Sequence, residues 1–460
     1  MNEEQFEHAL EKAFEEPSKL LDEGIEFIQK EEQMLISKKP FKVAEEYWET
    51  IGPGLTTGAA DDDPSGIATY SQTGAQYGPQ LIWLSAFSFP FMATVQEMCA
   101  RIGLVTGHGL AANIRKNYPR WTLYLITSVL LIANTFNIGA DFGAMAQGVQ
   151  LIFPKMSFAL LVIGFGVVSA LLQIFTTYAR YAKILKYLSF TLLAYIFAAL
   201  MSELNWPDVF RHLAMPSMTF DKDQILLVCA ILGTTISPYL FFWQTAQEVE
   251  EQNLQGKEDE NLWQQNIEPG TIKKMRKDVV SGMFFSNLVM FFIIAACAGT
   301  LFTHGVTNIA TAADAAEALR PFAGDLAFYL FAIGIVGVGM LAIPVLAGSS
   351  AYAISESFGF KHGLYRKLKE AYAFYGVIIV SVVIGIGLNF IGLDPMKALI
   401  YSAVANGIVA PIALVFIVKI SSSKEIMGEY ANSRLLSTLG WVTIGMMSVA
   451  GVAAIISLFY

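Results

Sequence analysis

Three consecutive carboxylates interrupt an otherwise apolar stretch at residues 51–78, which read IGPGLTTGAADDDPSGIATYSQTGAQYG. They belong to Asp61, Asp62 and Asp63. A charge at bilayer depth costs about 2.5–3.5 kcal/mol on insertion scales, so such residues normally face a cavity or a partner. Pro64 cannot donate a backbone hydrogen bond and Gly66 tolerates unusual dihedral angles, so we expect the helix to break here. A broken helix at this depth must be buried in protein or line a water-filled path, which predicts a cation site in a transport protein.

A second apolar segment, ILGTTISPYLFF at residues 231–242, is interrupted in a similar way. Gly233, three hydroxyl side chains and Pro238 break its apolar pattern. For this segment alone, a proline kink with no ligand role is the alternative interpretation. Two breaks that lie five predicted segments apart favour instead a 5+5 inverted repeat, in which discontinuous helices form the substrate site.

Polar residues also share one face of the predicted third segment. Asn134, Asn137 and Asp141 fall at positions i, i+3 and i+7, which places them on the same side of a helix. We expect this stripe to line a cavity or ion path, with hydrogen bonding between helices as the competing interpretation. In the second segment, Glu97 and Arg101 are spaced i, i+4, which predicts an internal ion pair.

These residues require a membrane-embedded helical scaffold. Of the 460 residues, 54% are hydrophobic and only 15% are charged, and the mean hydropathy is +0.50. Soluble domains carry about 25% charged residues, so the composition indicates an all-α integral membrane protein. We predict eleven transmembrane segments, at 51–76, 80–104, 122–151, 156–178, 183–203, 224–249, 279–303, 325–355, 371–391, 396–419 and 435–459.

Lys and Arg are distributed unequally between alternate loops. If the N-terminus is cytoplasmic, the cytoplasmic sides of the predicted segments hold 21 Lys and Arg residues and the outside loops hold 5. The positive-inside rule therefore predicts a multi-pass plasma-membrane protein with a cytoplasmic N-terminus and, after eleven spans, an external C-terminus.

The chain divides into an N-terminal extension and a transporter domain. Residues 1–46 are rich in Glu and carry an interrupted apolar stripe, which predicts amphipathic cytoplasmic helices rather than a signal peptide. Residues 47–460 form the transmembrane domain, with repeat one at about 51–203, repeat two at about 224–419 and an extra helix at about 435–459.

No soluble catalytic or nucleotide-binding domain is predicted. Residues 251–278 read as a polar cytoplasmic loop, and the absence of a GxxxxGK[ST] motif argues against an ATPase in this chain. Cys99, Cys229 and Cys297 lack CxxC spacing, which predicts inert packing residues rather than a metal knuckle or a disulfide framework.

The motifs resemble those of one transporter family. The run GPG(x)8DP, then AT(x)4GAQYG, and then ARIGLVTG at 100–107 are similar to the first two helices of NRAMP-type divalent metal transporters. The segment ILGTTISPYLFF is similar to the second unwound motif of that family. The resemblance implies a LeuT-like fold with broken helices 1 and 6, in which metal binds between the two breaks.

The chain departs from the family pattern at positions that contact the metal. The usual Asp-Pro-Gly-Asn reads DPSG here, so Asp63 is kept while Gly66 replaces the Asn ligand. The usual Met-Pro-His reads SPY, so Ser237 replaces the thioether and Tyr239 replaces the His. In these departures the chain resembles a divergent group of NRAMP relatives regarded as magnesium transporters.

Two further positions that carry protons in the family are also changed. A second His expected on helix six is Gln244, and an acidic residue expected on helix three is Ala144, although Asp141 is kept. Because Tyr239 and Gln244 do not titrate near neutral pH, we expect little or no proton coupling.

The resemblance implies that Asp63 is the main metal ligand. Without a soft thioether, the site offers oxygen ligands, which suit Mg²⁺, Mn²⁺ or Ca²⁺. We expect the Thr234 carbonyl and the Ser237 hydroxyl to assist, and Gly66 and Ser237 to leave room for a largely hydrated ion. Asp61 and Asp62 are expected to attract the cation or contact its outer shell, with a hydrogen-bonded helix end as the alternative.

We therefore predict influx of Mg²⁺, and also of Mn²⁺, without proton coupling; the alternative is an ordinary proton-coupled Mn²⁺/Fe²⁺ symporter. A sodium-coupled amino-acid symporter fits poorly because the acids would repel an anionic substrate. An intramembrane aspartyl protease would need a GxGD motif, whereas Asp141 lies in GADFG.

We expect no enzyme activity and no cofactor apart from the transported ion. The expected partners are divalent metal ions and the lipid bilayer, with no nucleic acid, and we expect a monomer.

Overall fold

The computed structural model describes residues 52–459 apart from 177, 203, 255–266, 268–269, 310–311 and 393–394. The predicted extension at 1–46 therefore lies outside the described residues. Residues 53–460 form a single unit whose regular elements, in this part of the chain, are helices. The α-helices are α1 Pro53–Asp61, α2 Pro64–Tyr77, α3 Trp83–Thr106, α4 Leu110–Asn117, α5 Arg120–Ile152, α6 Phe158–Phe175, α7 Tyr178–Leu188, α8 Leu193–Met201, α9 Trp206–Ala214, α10 Lys222–Thr235, α11 Pro238–Leu254, α12 Thr271–Thr300, α13 Ala312–Phe358, α14 Tyr372–Leu388, α15 Pro395–Ser422, α16 Lys424–Met427 and α17 Arg434–Phe459.

The first predicted segment is two helices, as expected. α1 ends at Asp61 and α2 begins at Pro64. Asp63 caps α2, because its side chain accepts a hydrogen bond from Gly66 N at 2.8 Å, and a proline at the first helical position needs no backbone partner. The Asp–Pro pair therefore makes the break, whereas Gly66, which we expected to help break the helix, lies within α2.

The sixth predicted segment is also broken, between Thr235 and Pro238. Pro238 has no N–H to offer the carbonyl of Thr234, which lies four residues earlier. The hydroxyl of Ser237 takes over this role, donating to Thr234 O at 2.6 Å and to Gly233 O at 2.7 Å. The break in helix six is thus stabilised by its own serine.

Eight helical stretches in the described part of the chain are long and apolar enough to cross a membrane, and α14 is a shorter apolar helix. Each of them overlaps a predicted segment. The total of eleven spans stays a prediction.

The predicted ends of the polar loop at 251–278 are both wrong. α11 continues to Leu254 and α12 already begins at Thr271. The first turns of α12 are amphipathic, because Met275 and Val279 are buried while the basic residues Arg276 and Lys277 are exposed.

α1 packs closely on α12. A Cβ atom at Gly282 would lie only 2.0 Å from the carbonyl oxygen of Gly54, so the two backbones touch where no larger residue fits. The Asp278 carboxylate accepts hydrogen bonds from Gly54 N at 2.7 Å and Leu55 N at 3.3 Å. These amides are among the donors that the start of a helix leaves unsatisfied, so a carboxylate from a distant helix caps α1.

Candidate metal-binding site

Asp63 is the point at which three helices meet, and it is fully buried. Its Oδ1 accepts hydrogen bonds from Ser65 Oγ at 2.6 Å and from Gly66 N at 2.8 Å. Its Oδ2 accepts one from Asn137 Nδ2 of α5 at 2.7 Å and lies 3.5 Å from Tyr239 Oη of α11. The carboxylate is therefore held in one orientation, and a cation that binds it directly either displaces one of these donors or uses a lone pair that they leave free.

The two helix breaks face each other. Tyr239 Oη donates to the Ala60 carbonyl at 2.9 Å, and Thr234 Oγ1 donates to the Asp61 carbonyl at 3.3 Å. These carbonyls lie at the end of α1, where the helix supplies no partner of its own. Backbone carbonyls and hydroxyls are ligands for hard cations, so the facing ends of α1 and α10 offer oxygen atoms of the kind expected.

The other acidic residues of the site have unsatisfied oxygens. Asp61 Oδ2 accepts a hydrogen bond from Ser286 Oγ of α12 at 2.8 Å, but its Oδ1 has no partner among the described residues. The same holds for both carboxylate oxygens of Asp62 and of Asp141. All are fully buried. A buried carboxylate is costly unless it is protonated, paired or bound to a metal.

Basic side chains of the described residues do not neutralise this group of carboxylates. Within the described ranges, the ion pairs of Lys, Arg and His include none with Asp61, Asp62, Asp63 or Asp141. The region therefore has an excess of acidic groups, which favours a cation over an anion as its ligand.

Two predicted path residues donate hydrogen bonds to groups other than these acids. Asn134 Nδ2 donates to Leu346 O, Ser349 Oγ and Ser350 Oγ of α13 at 2.9–3.1 Å, so it bonds one helix to another. Gln244 donates to Glu248 Oε1 at 2.9 Å, one turn further along α11. Hydrogen bonding between helices, the competing interpretation of the polar stripe, thus applies to Asn134, whereas Asn137 contacts Asp63 itself.

The space beside Gly66 is filled in this conformation. A Cβ atom there would lie 3.0 Å from Thr234 Oγ1, 3.3 Å from Asp61 O and 3.4 Å from the Tyr70 ring. Thr234, Ser237 and Tyr239 are also buried. These side chains are therefore shielded from bulk solvent, and the wide, hydrated site stays a prediction that requires the helix breaks to move apart.

The carboxylates do not converge as a ready-made cluster. The described residues contain no group of three or more His, Cys, Asp or Glu side chains that could hold a metal ion. Asp61 bonds to α12, whereas Asp63 bonds to α5, so different helices hold these two carboxylates. A bound ion would combine one or two carboxylates with carbonyls, hydroxyls or water.

Sequence reasoning missed the hydroxyls that hold these groups. Ser286 bonds to Asp61, and Ser402 Oγ of α15 donates to Asn137 Oδ1 at 2.7 Å. Single serines in apolar helices follow no pattern that distinguishes them from packing residues.

The predicted Glu97–Arg101 ion pair is confirmed at 3.0 Å. Arg276 Nε joins it at 2.8 Å from Glu97, and Arg101 also donates to Tyr430 O and Asn432 Oδ1. The three cysteines are free and buried, as expected. This network ties α3 to α12 and to the segment before α17, away from the carboxylate site.

Known proteins resemble this chain over nearly its whole length. Residues 54–457 match the family model described as natural resistance-associated macrophage protein-like (Nramp). The divalent metal cation transporter MntH of Aeromonas hydrophila is 24% identical over 408 residues, covering 86% of this chain and 93% of that protein. MntH of Erwinia tasmaniensis is 26% identical over 404 residues, covering 85% and 90%.

Solved structures share the fold. The Eremococcus coleocola manganese transporter superimposes with a TM-score of 0.68 at 19% identity, covering 89% of this chain and 86% of that one. Mhp1, a nucleobase-cation-symport-1 family transporter, superimposes with a TM-score of 0.55 at 15% identity, covering 88% and 91%. These similarities confirm the predicted fold class, an all-helical membrane transporter with a LeuT-like arrangement.

Proposed function

The chain belongs to the natural resistance-associated macrophage protein-like family, and on this premise we propose that it carries divalent metal cations across the plasma membrane. The observation that supports this most directly is the convergence of both helix breaks on Asp63. Asp63 and three other fully buried carboxylates, those of Asp61, Asp62 and Asp141, have no basic partner in the described part of the chain. A doubly charged cation would supply the positive charge that balances these carboxylates.

The preferred ion in this proposal is Mg²⁺, with Mn²⁺ as a second substrate. The hydrogen-bond partners of Asp63 are nitrogen and oxygen atoms, and the hydroxyl of Ser237 stands where the resemblance would place a thioether. Hard oxygen ligands do not discriminate against Mg²⁺ in the way that a soft sulfur ligand does.

The ion is proposed to enter with much of its water. Mg²⁺ dehydrates reluctantly and usually keeps several waters while binding one or two carboxylates. Asp63 provides the first carboxylate, and Asp61 and Asp62 provide unsatisfied oxygens nearby for contacts to bound water. Thr234 O and Ser237 Oγ complete the oxygen set from helix six once the breaks separate.

The proposed orientation has a cytoplasmic N-terminus and an external C-terminus, supported by the distribution of Lys and Arg. Influx then follows the electrical gradient. For two charges at 100 mV, the membrane potential is worth roughly 4.6 kcal/mol, so uptake needs no coupled proton.

The second candidate is a proton-coupled symporter for Mn²⁺ or Fe²⁺. Asp141 supports it, because a fully buried carboxylate without a described partner is a possible proton carrier. The proteins that resemble this chain include ones named as manganese or divalent metal transporters.

Competition uptake separates the two candidates. Proteoliposomes that contain the full chain would be loaded with a Mn²⁺-sensitive dye, and uptake would be measured with Mg²⁺, Ca²⁺ or Cd²⁺ outside. Millimolar Mg²⁺ that suppresses Mn²⁺ entry, together with direct Mg²⁺ uptake, supports the proposal. Strong Cd²⁺ uptake that Mg²⁺ leaves unchanged would instead favour the ordinary symporter.

A further inference from the structure

A cavity of about 560 Å³ lies away from the carboxylate site, between α4, the ends of α11 and α13, and residues 359–366. Its volume falls within the range of about 300–1,000 Å³ in which proteins bind small molecules. In the proposed orientation, this end of the molecule faces the cytoplasm.

Four cationic side chains line the cavity: Arg115 and Lys116 from α4, and Lys361 and Arg366 from the connection after α13. In the described part of the chain, none of them forms a salt bridge with a carboxylate. Arg366 donates through Nε to His362 O at 3.2 Å, which leaves its Nη atoms for a ligand. The positive-inside rule accounts for basic loops but not for their convergence on one concave surface.

The two acidic residues of the cavity have structural roles. Glu250 is 1% exposed, and its Oε1 accepts hydrogen bonds from Leu364 N at 2.8 Å and from Tyr352 Oη. Glu356 is 2% exposed, and its Oε2 accepts one from Ala112 N at 3.0 Å, near the start of α4. These bonds fix α4 and residues 359–366 to α11 and α13, and therefore hold the basic side chains around the cavity.

We propose that this cavity binds a small phosphate-bearing anion. The four cations outnumber the two carboxylates, and an arginine fork matches the oxygens of a phosphate group. The ring of Tyr365, with the Arg366 guanidinium 4.8 Å from its centroid, lies at the rim and offers an aromatic surface beside the anion site. The ligand would bridge α4 and the segment after α13.

A metal ion is the competing occupant, because Glu250 Oε2 has no described partner. The described residues, however, contain no group of three acidic, His or Cys side chains that could hold one. His362 Nε2 lies 3.8 Å from Glu356 Oε1, so this His faces one of the two carboxylates of the cavity. The charge balance thus favours an anion.

Two sources could supply the phosphate group, a soluble cytoplasmic anion or the headgroup of an anionic lipid. Titration calorimetry on the purified full chain in a neutral detergent would test inorganic phosphate and ATP, both without divalent ions. Nanodiscs with and without phosphatidylglycerol would test the lipid headgroup. Because no transported metal is present, the result does not depend on the proposed transport function.

The double variant Arg115→Gln/Arg366→Gln is expected to weaken binding by roughly tenfold or more, since each arginine donates charged hydrogen bonds to phosphate. Arg120→Gln/Lys367→Gln removes the same charge from exposed neighbours outside the cavity and is the matched control. A loss confined to the first variant supports the proposal, and the probe that shows it identifies the source. Absence of saturable binding for all three probes, or equal losses in both variants, would overturn it.

Discussion

Asn137 on α5 donates a hydrogen bond of 2.7 Å to Oδ2 of Asp63, at the break between α1 and α2. The amide is itself oriented, because its Oδ1 accepts a hydrogen bond from Ser402 Oγ on α15 at 2.7 Å. One oxygen of the Asp63 carboxylate thus accepts hydrogen bonds from α2. The other accepts one from Asn137 of α5, which is held in turn by Ser402 of α15, and we call this chain of bonds the relay. An ion that binds Oδ2 on a lone pair that the amide leaves free meets a carboxylate already held in one orientation by Asn137.

Asn137→Ala should therefore weaken ion binding. Removing a hydrogen bond to a charged group costs about 1.5–3 kcal/mol, so we expect the KM for metal uptake to rise roughly tenfold or more. Asn134→Ala is the matched control, since that side chain bonds only to α13 among the described residues and should reduce thermal stability while leaving KM nearly unchanged. Equal KM values in both variants would contradict the relay.

Ser237→Met should shift selectivity towards softer ions. The substitution supplies a thioether beside the break in helix six, and sulfur ligands favour transition metals over Mg²⁺. We expect Cd²⁺ and Mn²⁺ uptake to rise relative to Mg²⁺ in competition assays. Ser237→Ala separates the gain of sulfur from the loss of the hydroxyl bonds to Gly233 and Thr234. If the Met and Ala variants show the same ion preference, the ligand argument is wrong.

Gly66→Asn should impair uptake for a steric reason. Its Cβ atom would lie 3.0 Å from Thr234 Oγ1, so the added side chain must push Thr234 or Tyr70 aside. Thr234→Ala removes that oxygen and keeps the backbone carbonyl, and the double variant should regain part of the lost rate. Measuring initial rates and thermal stability for both single variants and the double variant checks this. A double variant no better than Gly66→Asn would show that Thr234 is not the obstacle.

The fold and the two helix breaks were predictable because their causes are local in the chain. A proline next to acidic or hydroxyl residues inside an apolar run predicts a broken helix, and Asp63 and Ser237 lie at such breaks. The partners were not predictable, because Ser286 and Ser402 reach the site, and Asp278 reaches the start of α1, from helices far away in sequence. The width of the site was not predictable either, since the space at Gly66 depends on how Thr234 and Tyr70 pack.

Asp278→Ala should destabilise the start of α1. The substitution removes the acceptor for the amides of Gly54 and Leu55, and loss of a helix cap typically costs about 1 kcal/mol. We expect a lower melting temperature in detergent. Position 57 is buried in α1, so a thiol introduced there by Thr57→Cys should be labelled faster when Asp278→Ala is also present. Asp325→Ala is the control, because that carboxylate forms an exposed ion pair with Arg320, and such pairs contribute little. An unchanged labelling rate of the introduced thiol would contradict the capping role.

Metal uptake should proceed without proton entry. Among the fully buried acidic side chains near Asp63, Asp141 is the one that we do not propose as a contact of the metal or its water, and Tyr239 and Gln244 stand at the positions where the resemblance would place His. Proteoliposomes with a trapped pH dye should show no acidification during metal uptake at an inside-negative potential, and a pH gradient alone should not drive uptake. Asp141→Asn removes the remaining candidate and should leave the pH dependence of the rate unchanged. Acidification that tracks metal entry and disappears in Asp141→Asn would establish the proton-coupled alternative.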